Sequence, residues 1–279
     1  MTSQLEVLET KNERSQNEHC PNCEADLTGE YCHRCGQKRI HHHEFGVRHF
    51  FGHVVHEFTH LDSNKIFKTV IALLFKPGLL TAEYLGGRKG RYANPIRIYL
   101  TCSAIYFLFA WGTLSGIRGG GVDSATRSPR IIAMAQKKGL DPKAMAEKFY
   151  QKAEKLSAAL RFTSVLMSGL FLTLLYYGMK KYYVEHLVFS LHYYSFDFFC
   201  KSVFALLFIV AGAVGANLPA QVLNLFYPLA FIYLIFALRS VYKESWVRTV
   251  SKALVLFACE TLLFIAVNIA GFIIASSLV

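Results

Sequence analysis

Acidic residues are scarce in this chain: 19 Asp and Glu stand against 30 Lys and Arg, a formal net charge of +11. The basic residues cluster beside apolar runs, so the expected partner is a lipid bilayer with anionic head groups; no nucleic acid partner is expected. The first 19 residues, MTSQLEVLETKNERSQNEH, have no apolar core. A cleavable signal peptide is therefore not expected, and this segment reads as a disordered, cytoplasmic N-terminus. Internal repeats are lacking, as is any low-complexity tract beyond His41–His43, and no phosphate-loop spacing accompanies Gly86, Gly87 and Gly90. Central charges within the apolar runs are so few that an ion pump is a poor fit. Seven cysteines do not form an extracellular disulfide framework: four make two CxxC pairs, and Cys102, Cys200 and Cys259 lie singly in or beside apolar runs.

What is plentiful is apolar sequence. Hydrophobic residues make up 53% of the chain and aromatics 14%, concentrated in long runs, which points to a bilayer. The runs 98–116, 162–178, 196–216, 219–238 and 252–274 each approach the roughly 20 residues a helix needs to cross the hydrocarbon core. The expected fold class is an all-α integral membrane protein with about five transmembrane helices and a small N-terminal cysteine module. Asn217-Leu218 would join the third and fourth spans in a tight hairpin. KKYYVEHLVFSLHYYS, from Lys180, suits either the interface or re-entry into the bilayer, so about four or six spans remain open. Lys76, Arg88, Lys89, Arg91 and Arg97, then Lys180 and Lys181, then Arg239, Lys243, Arg248 and Lys252 fall on one side of a five-span arrangement. That side should be cytoplasmic. The 117–161 connector disagrees, with ten basic and four acidic residues on the outside. Within it, Asp141-Pro142 reads as an N-cap with Pro at N1, opening an amphipathic helix over 141–160 that presents Met145, Phe149, Leu156 and Leu160.

The cysteine module reads CPNCEADLTGEYCHRC, with spacing C-x2-C-x8-C-x2-C. Each CxxC turn points two thiolates at one ion, and two such knuckles complete a tetrahedron. Cys20, Cys23, Cys32 and Cys35 are thus the expected ligands of a structural zinc, with iron as the chief rival. Lys38 and Arg39 help offset the thiolate charge, and the ion supplies much of the folding free energy of so small a module. The module would contact a protein partner or rest on its own membrane domain.

Nine of the eleven histidines lie between 19 and 60. On a helix turning about 100° per residue, His42, His49, His53, His56 and His60 share one face, opposite Val47, Phe50, Phe51, Val54, Val55 and Phe58. HEFTH, residues 56–60, matches H-E-x-x-H, in which two histidines hold zinc beside a glutamate base. Glu57 would then be the catalytic residue of a hydrolase. His53, His56 and His60 form a candidate second metal site, with His186, His192, Glu185 or Glu83 as the remaining ligand. An unliganded polar face near lipid phosphates, or a proton-sensing stripe, competes with that reading.

Residues 61–100 form a basic elbow: Asp62 or Ser63 caps a helix to Phe75, Pro77-Gly78 ends it, and Asn94-Pro95 starts the first span. CPNC…YCHRCGQ, HEFTHLDSNKIFKT, FKPGLLTAEYLGGRKGRYANPIRIYL and YYVEHLVFSLHYYSF together resemble a bacterial family of polytopic membrane proteins of unknown function with an N-terminal zinc ribbon. The resemblance runs from Cys20 to about Phe196, with PGLLTAEYLGGRKGRY its most specific part. It implies an inner-membrane location and a structural zinc, without an activity. Glu24 departs from it, since such knuckles usually have Gly there to ease the turn.

Glu260 lies within the fifth apolar run, where an ionisable group is costly and marks a functional site by default. Lys201 or Arg97 is its expected partner, and Asn224 and Asn268 suit interhelical hydrogen bonds. The domain order is therefore an N-terminal tail (1–19), a zinc ribbon (20–40), a histidine-rich helix with a basic elbow (41–97) and a transmembrane domain (98–279). The leading function is a non-catalytic scaffold, sensor or accessory protein of the cell envelope. The alternatives are a membrane-associated zinc metalloprotease or hydrolase using HEFTH, and a transporter or lipid-handling protein using Glu260.

Overall fold

Proline and glycine punctuate the chain where the helices break. A computed structural model describes residues 19–39, 63–179, 181–216, 219, 222 and 225–278. The histidine stripe, including His53, His56, Glu57 and His60, lies outside the described residues, as do Asn217-Leu218 and Asn224. Helices α1 (Ser63–Phe75) and α2 (Leu79–Leu85) flank the Lys76-Pro77-Gly78 turn. Then follow α3 (Pro95–Ala125), α4 (Pro129–Lys138), α5 (Pro142–Leu175), α6 (Tyr183–Ala213), α7 (Phe226–Tyr242) and α8 (Trp246–Leu278). Among the described residues there is no strand; β pairing is limited to two isolated bridges near the N-terminus.

Several starts follow from local chemistry. Asn94 Oδ1 accepts from the Ile96 amide at 3.0 Å just before Pro95. Asp141 Oδ2 accepts from the Lys143 and Ala144 amides at 2.9 and 3.3 Å, with Pro142 in the first turn, as its N-cap reading predicts. At α6, the Tyr182 amide donates to Glu185 Oε1 at 3.0 Å, and Lys181 holds the other carboxylate oxygen at 2.7 Å.

The structure redraws several expected segments. The stretch before Phe196, expected at the interface or re-entering the bilayer, runs straight into the third apolar run: Tyr183 to Ala213 is one continuous helix of 31 residues. The amphipathic connector helix and the second apolar run are likewise one helix, Pro142–Leu175. Met145 and Phe149 are buried against Ile131 and Ala135 of α4. The fourth expected span becomes α7, which begins at Phe226, with Pro228 in its first turn, where a missing backbone N–H costs no intrahelical bond.

α6 sits at the centre, packed against α3 and α5 and touching α1, α2 and α7, while α8 lies on α5 and α7. Leu73, Ile98, Leu172, Leu187, Val188, Leu234, Leu238 and Leu256 fill the shared core. Among the described residues, two helices are long and apolar enough to cross a membrane, Tyr183–Ala213 and Trp246–Gly271. Only 22% and 18% of their most apolar windows are buried, unlike the core helix of a soluble domain. Leu206, Leu207, Val210, Leu254, Leu262 and Ile269 are exposed, an apolar surface that water does not favour. Pro95–Phe109 within α3, Phe162–Leu175 within α5 and Phe226–Tyr242 (α7) are shorter apolar helical stretches.

Candidate metal centre and the elbow beneath it

The two CxxC turns are built alike. Cys20 N donates to Ala25 O and Glu24 N to Cys20 O, both at 2.8 Å; twelve residues on, Cys32 N donates to Gln37 O at 2.9 Å and Gly36 N to Cys32 O at 2.8 Å. The bridges His19–Asp26 and Tyr31–Lys38 close the two units. This twelve-residue repeat of backbone geometry has no counterpart in side-chain identity beyond the cysteines. At equivalent places Glu24 and Gly36 both adopt positive φ, 61° and 71°. The departure from Gly at Glu24 is therefore a real local strain.

The ligand atoms of Cys20, Cys23, Cys32 and Cys35 lie within 4.8 Å of one another. Cys20 and Cys35 sulfurs are 3.5 Å apart, as are those of Cys23 and Cys32. These are not disulfide separations. A tetrahedral four-thiolate zinc with Zn–S near 2.3 Å has sulfur–sulfur edges of about 3.8 Å. The four thiols thus fit one metal ion. The Asn22 side chain holds the Cys35 thiol down to about 6 against the effect of burial, helped by the Gln37 backbone. Cys20 and Cys32 are buried with Leu27 in a very small cluster.

The module rests on the elbow between α2 and α3. Gln37 Nε2 donates to Gly87 O at 2.7 Å, and the Gly90 amide donates to Gln37 Oε1 at 3.1 Å. Gly87 has φ 82°, a left-handed conformation that glycine adopts without a Cβ penalty. A Cβ on Gly90 would lie 3.0 Å from Asn22 Nδ2. Below the contact, Arg88 forms paired 2.7 Å bonds to Glu83, and Arg91 approaches the same carboxylate at 3.6 Å. Thr69, fully buried in α1, accepts from the Ala93 amide at 2.9 Å and so anchors the far side of the elbow. Leu80, Tyr84, Arg88, Lys89, Tyr92, Ala93 and His192 line a crevice with free space of about 10 Å³, enough for about one water molecule.

The remaining candidate ligands go elsewhere. His186 and His192 are both buried on α6 but serve different neighbours: His186 Nδ1 lies 2.7 Å from the Tyr242 hydroxyl, and His192 Nδ1 lies 3.0 Å from Thr81 Oγ1. Glu185 caps its own helix and Glu83 holds Arg88. Among the described residues, the four cysteines are the one group of three or more His, Cys, Asp and Glu side chains placed to share an ion. The Tyr194 hydroxyl donates to Glu260, while Lys201, one of its two expected partners, forms its ion pair with Asp197 at 2.7 Å. Reading the sequence misses Gln37, Asn22 and Tyr242; the only hint is the cluster of glycines at the elbow.

A family model described as a protein of unknown function (DUF3667) matches residues 63–107, which cover α1, α2, the glycine elbow and the start of α3. The match includes the PGLLTAEYLGGRKGRY stretch but not the cysteine module. No curated protein and no solved structure matches the chain.

Proposed function

We propose that the chain is a multi-pass protein of the bacterial inner membrane, with a cytoplasmic N-terminus, about five spans and a structural zinc in the ribbon. It acts as a non-catalytic scaffold, sensor or accessory protein of the cell envelope. The observation that carries this reading is the closed set of four thiols. Such a set leaves no coordination position for water or substrate, as a catalytic zinc requires. Exposed apolar side chains on α5, α6, α7 and α8 support a lipid environment, and the positions of Lys and Arg support the orientation.

Metal analysis of the protein extracted from carbonate-washed membranes tests the reading. The expected result is one zinc per chain, lost in a Cys20→Ser/Cys32→Ser variant and unchanged in His56→Ala/His60→Ala. A second, histidine-dependent zinc, or recovery of the protein in the soluble fraction, overturns it.

A further inference from the structure

Both side chains that seat the ribbon on the elbow belong to its metal knuckles. Asn22 lies between Cys20 and Cys23, its side chain reaches Cys35, and its amide faces Gly90. Gln37 follows Cys35 by two residues; its carbonyl accepts from Cys32 N while its side chain brackets the elbow. The ribbon has little else to hold these groups in place. Its buried apolar cluster is Cys20, Leu27 and Cys32, with Cys23 and Ala25 beside it, so most of its core is the ligand set itself. A module of this kind folds with its ion and loosens without it.

We propose that metal binding by the ribbon and seating of the ribbon on the Gly87–Gly90 elbow are one linked equilibrium. The loaded ribbon covers the elbow. Loss of the metal releases Gln37 and Asn22 and uncovers the Gly87 carbonyl and the Gly90 amide. The inference rests on the reading of the four cysteines as a metal site. It goes beyond that reading by making the elbow part of the metal affinity. Linkage is reciprocal: the factor by which the metal strengthens seating is the factor by which seating strengthens metal binding, so a variant that breaks the seat weakens metal binding.

The test uses the full-length protein in detergent micelles. Zinc affinity is measured by competition with a chromophoric chelator for wild type, Gly90→Val and Gln37→Ala. Hydrogen exchange at the Gly90 amide is followed by mass spectrometry with and without zinc. Gly90→Val touches no cysteine and lies far from them in sequence, yet it is expected to weaken zinc binding about 5- to 100-fold. Gln37→Ala serves the same purpose should the valine variant not fold. Stripping zinc from wild type is expected to speed exchange at Gly90. The linkage is overturned if zinc affinity stays within about twofold of wild type while the elbow amide is freed, or if Gly90 stays protected after stripping. Wild type that holds no stoichiometric metal overturns the metal site itself, an outcome read before any variant is compared.

Discussion

Glu83 and Arg88 meet through two parallel hydrogen bonds of 2.7 Å, Nε to Oε2 and Nη2 to Oε1, across the turn that ends α2. The Glu83 side chain is 10% exposed and that of Arg88 42%. The Arg88 hydrogen bond, with the charges of Arg88 and Arg91, holds the Glu83 carboxyl below its ordinary value despite burial. A carboxyl lowered in the folded state adds stability above its ordinary pKa of 4.5 and loses it as pH falls through the lowered value. Glu83→Gln is expected to cost about 1–2 kcal/mol near neutrality, less than a fully buried pair because Arg88 is partly solvated. Melting curves in detergent from neutral to acid pH are the check. The gap between wild type and variant should hold above the ordinary value and shrink below it.

Gly78 is expected to be the least replaceable glycine of the elbow region. Its φ is 79°, and a Cβ there would lie 2.7 Å from both Ala237 O and Ser240 Cβ of α7. Alanine combines left-handed strain with a backbone clash that no rotamer relieves. A loss of about 2 kcal/mol or more is expected, read as a lower melting temperature with the ribbon metal retained.

Glu24 offers the opposite result. It holds φ 61° where its counterpart in the second knuckle is Gly36. Glu24→Gly relieves left-handed strain of about 1 kcal/mol, partly offset by extra freedom in the unfolded chain. Zinc affinity of the variant should equal or exceed wild type, and a clear decrease would show that the carboxylate matters more than the turn.

His186 and Tyr242 share a buried 2.7 Å hydrogen bond, and the Tyr242 ring stacks on Tyr176 at 3.8 Å between centroids. Tyr242→Phe keeps the stack and orphans a buried imidazole nitrogen, a cost of about 1–3 kcal/mol. Tyr242→Ala loses both and should melt lower still. Equal melting of wild type and Tyr242→Phe would mean that water replaces the hydroxyl.

Much of the helical outline was legible because its signals act over a few residues. Pro77-Gly78, Asn94-Pro95 and Asp141-Pro142 set helix ends through missing donors, fixed φ and side-chain caps. The continuity of α6 was not legible. Glu185, His186 and His192 look like interfacial polar groups until Lys181, Tyr242 and Thr81 are seen to satisfy them. Polar residues enter a buried helix when partners from other elements complete their hydrogen bonds, and no local pattern announces those partners. The same holds for Glu260, to which the Tyr194 hydroxyl of α6 donates.

By itself, the sequence determined the pairing of four cysteines in two knuckles, the breaks between helices and the apolar surplus that calls for lipid. Each of these depends on spacing or composition along a short stretch. The tertiary structure decided which groups meet across the fold: Gln37 with Gly87 and Gly90, Thr81 with His192, and the Tyr233 hydroxyl with the Leu73 carbonyl at 2.8 Å. Those bonds join residues 50 to 160 positions apart. They form only after core packing has brought distant backbones within a few tenths of an ångström of hydrogen-bond geometry.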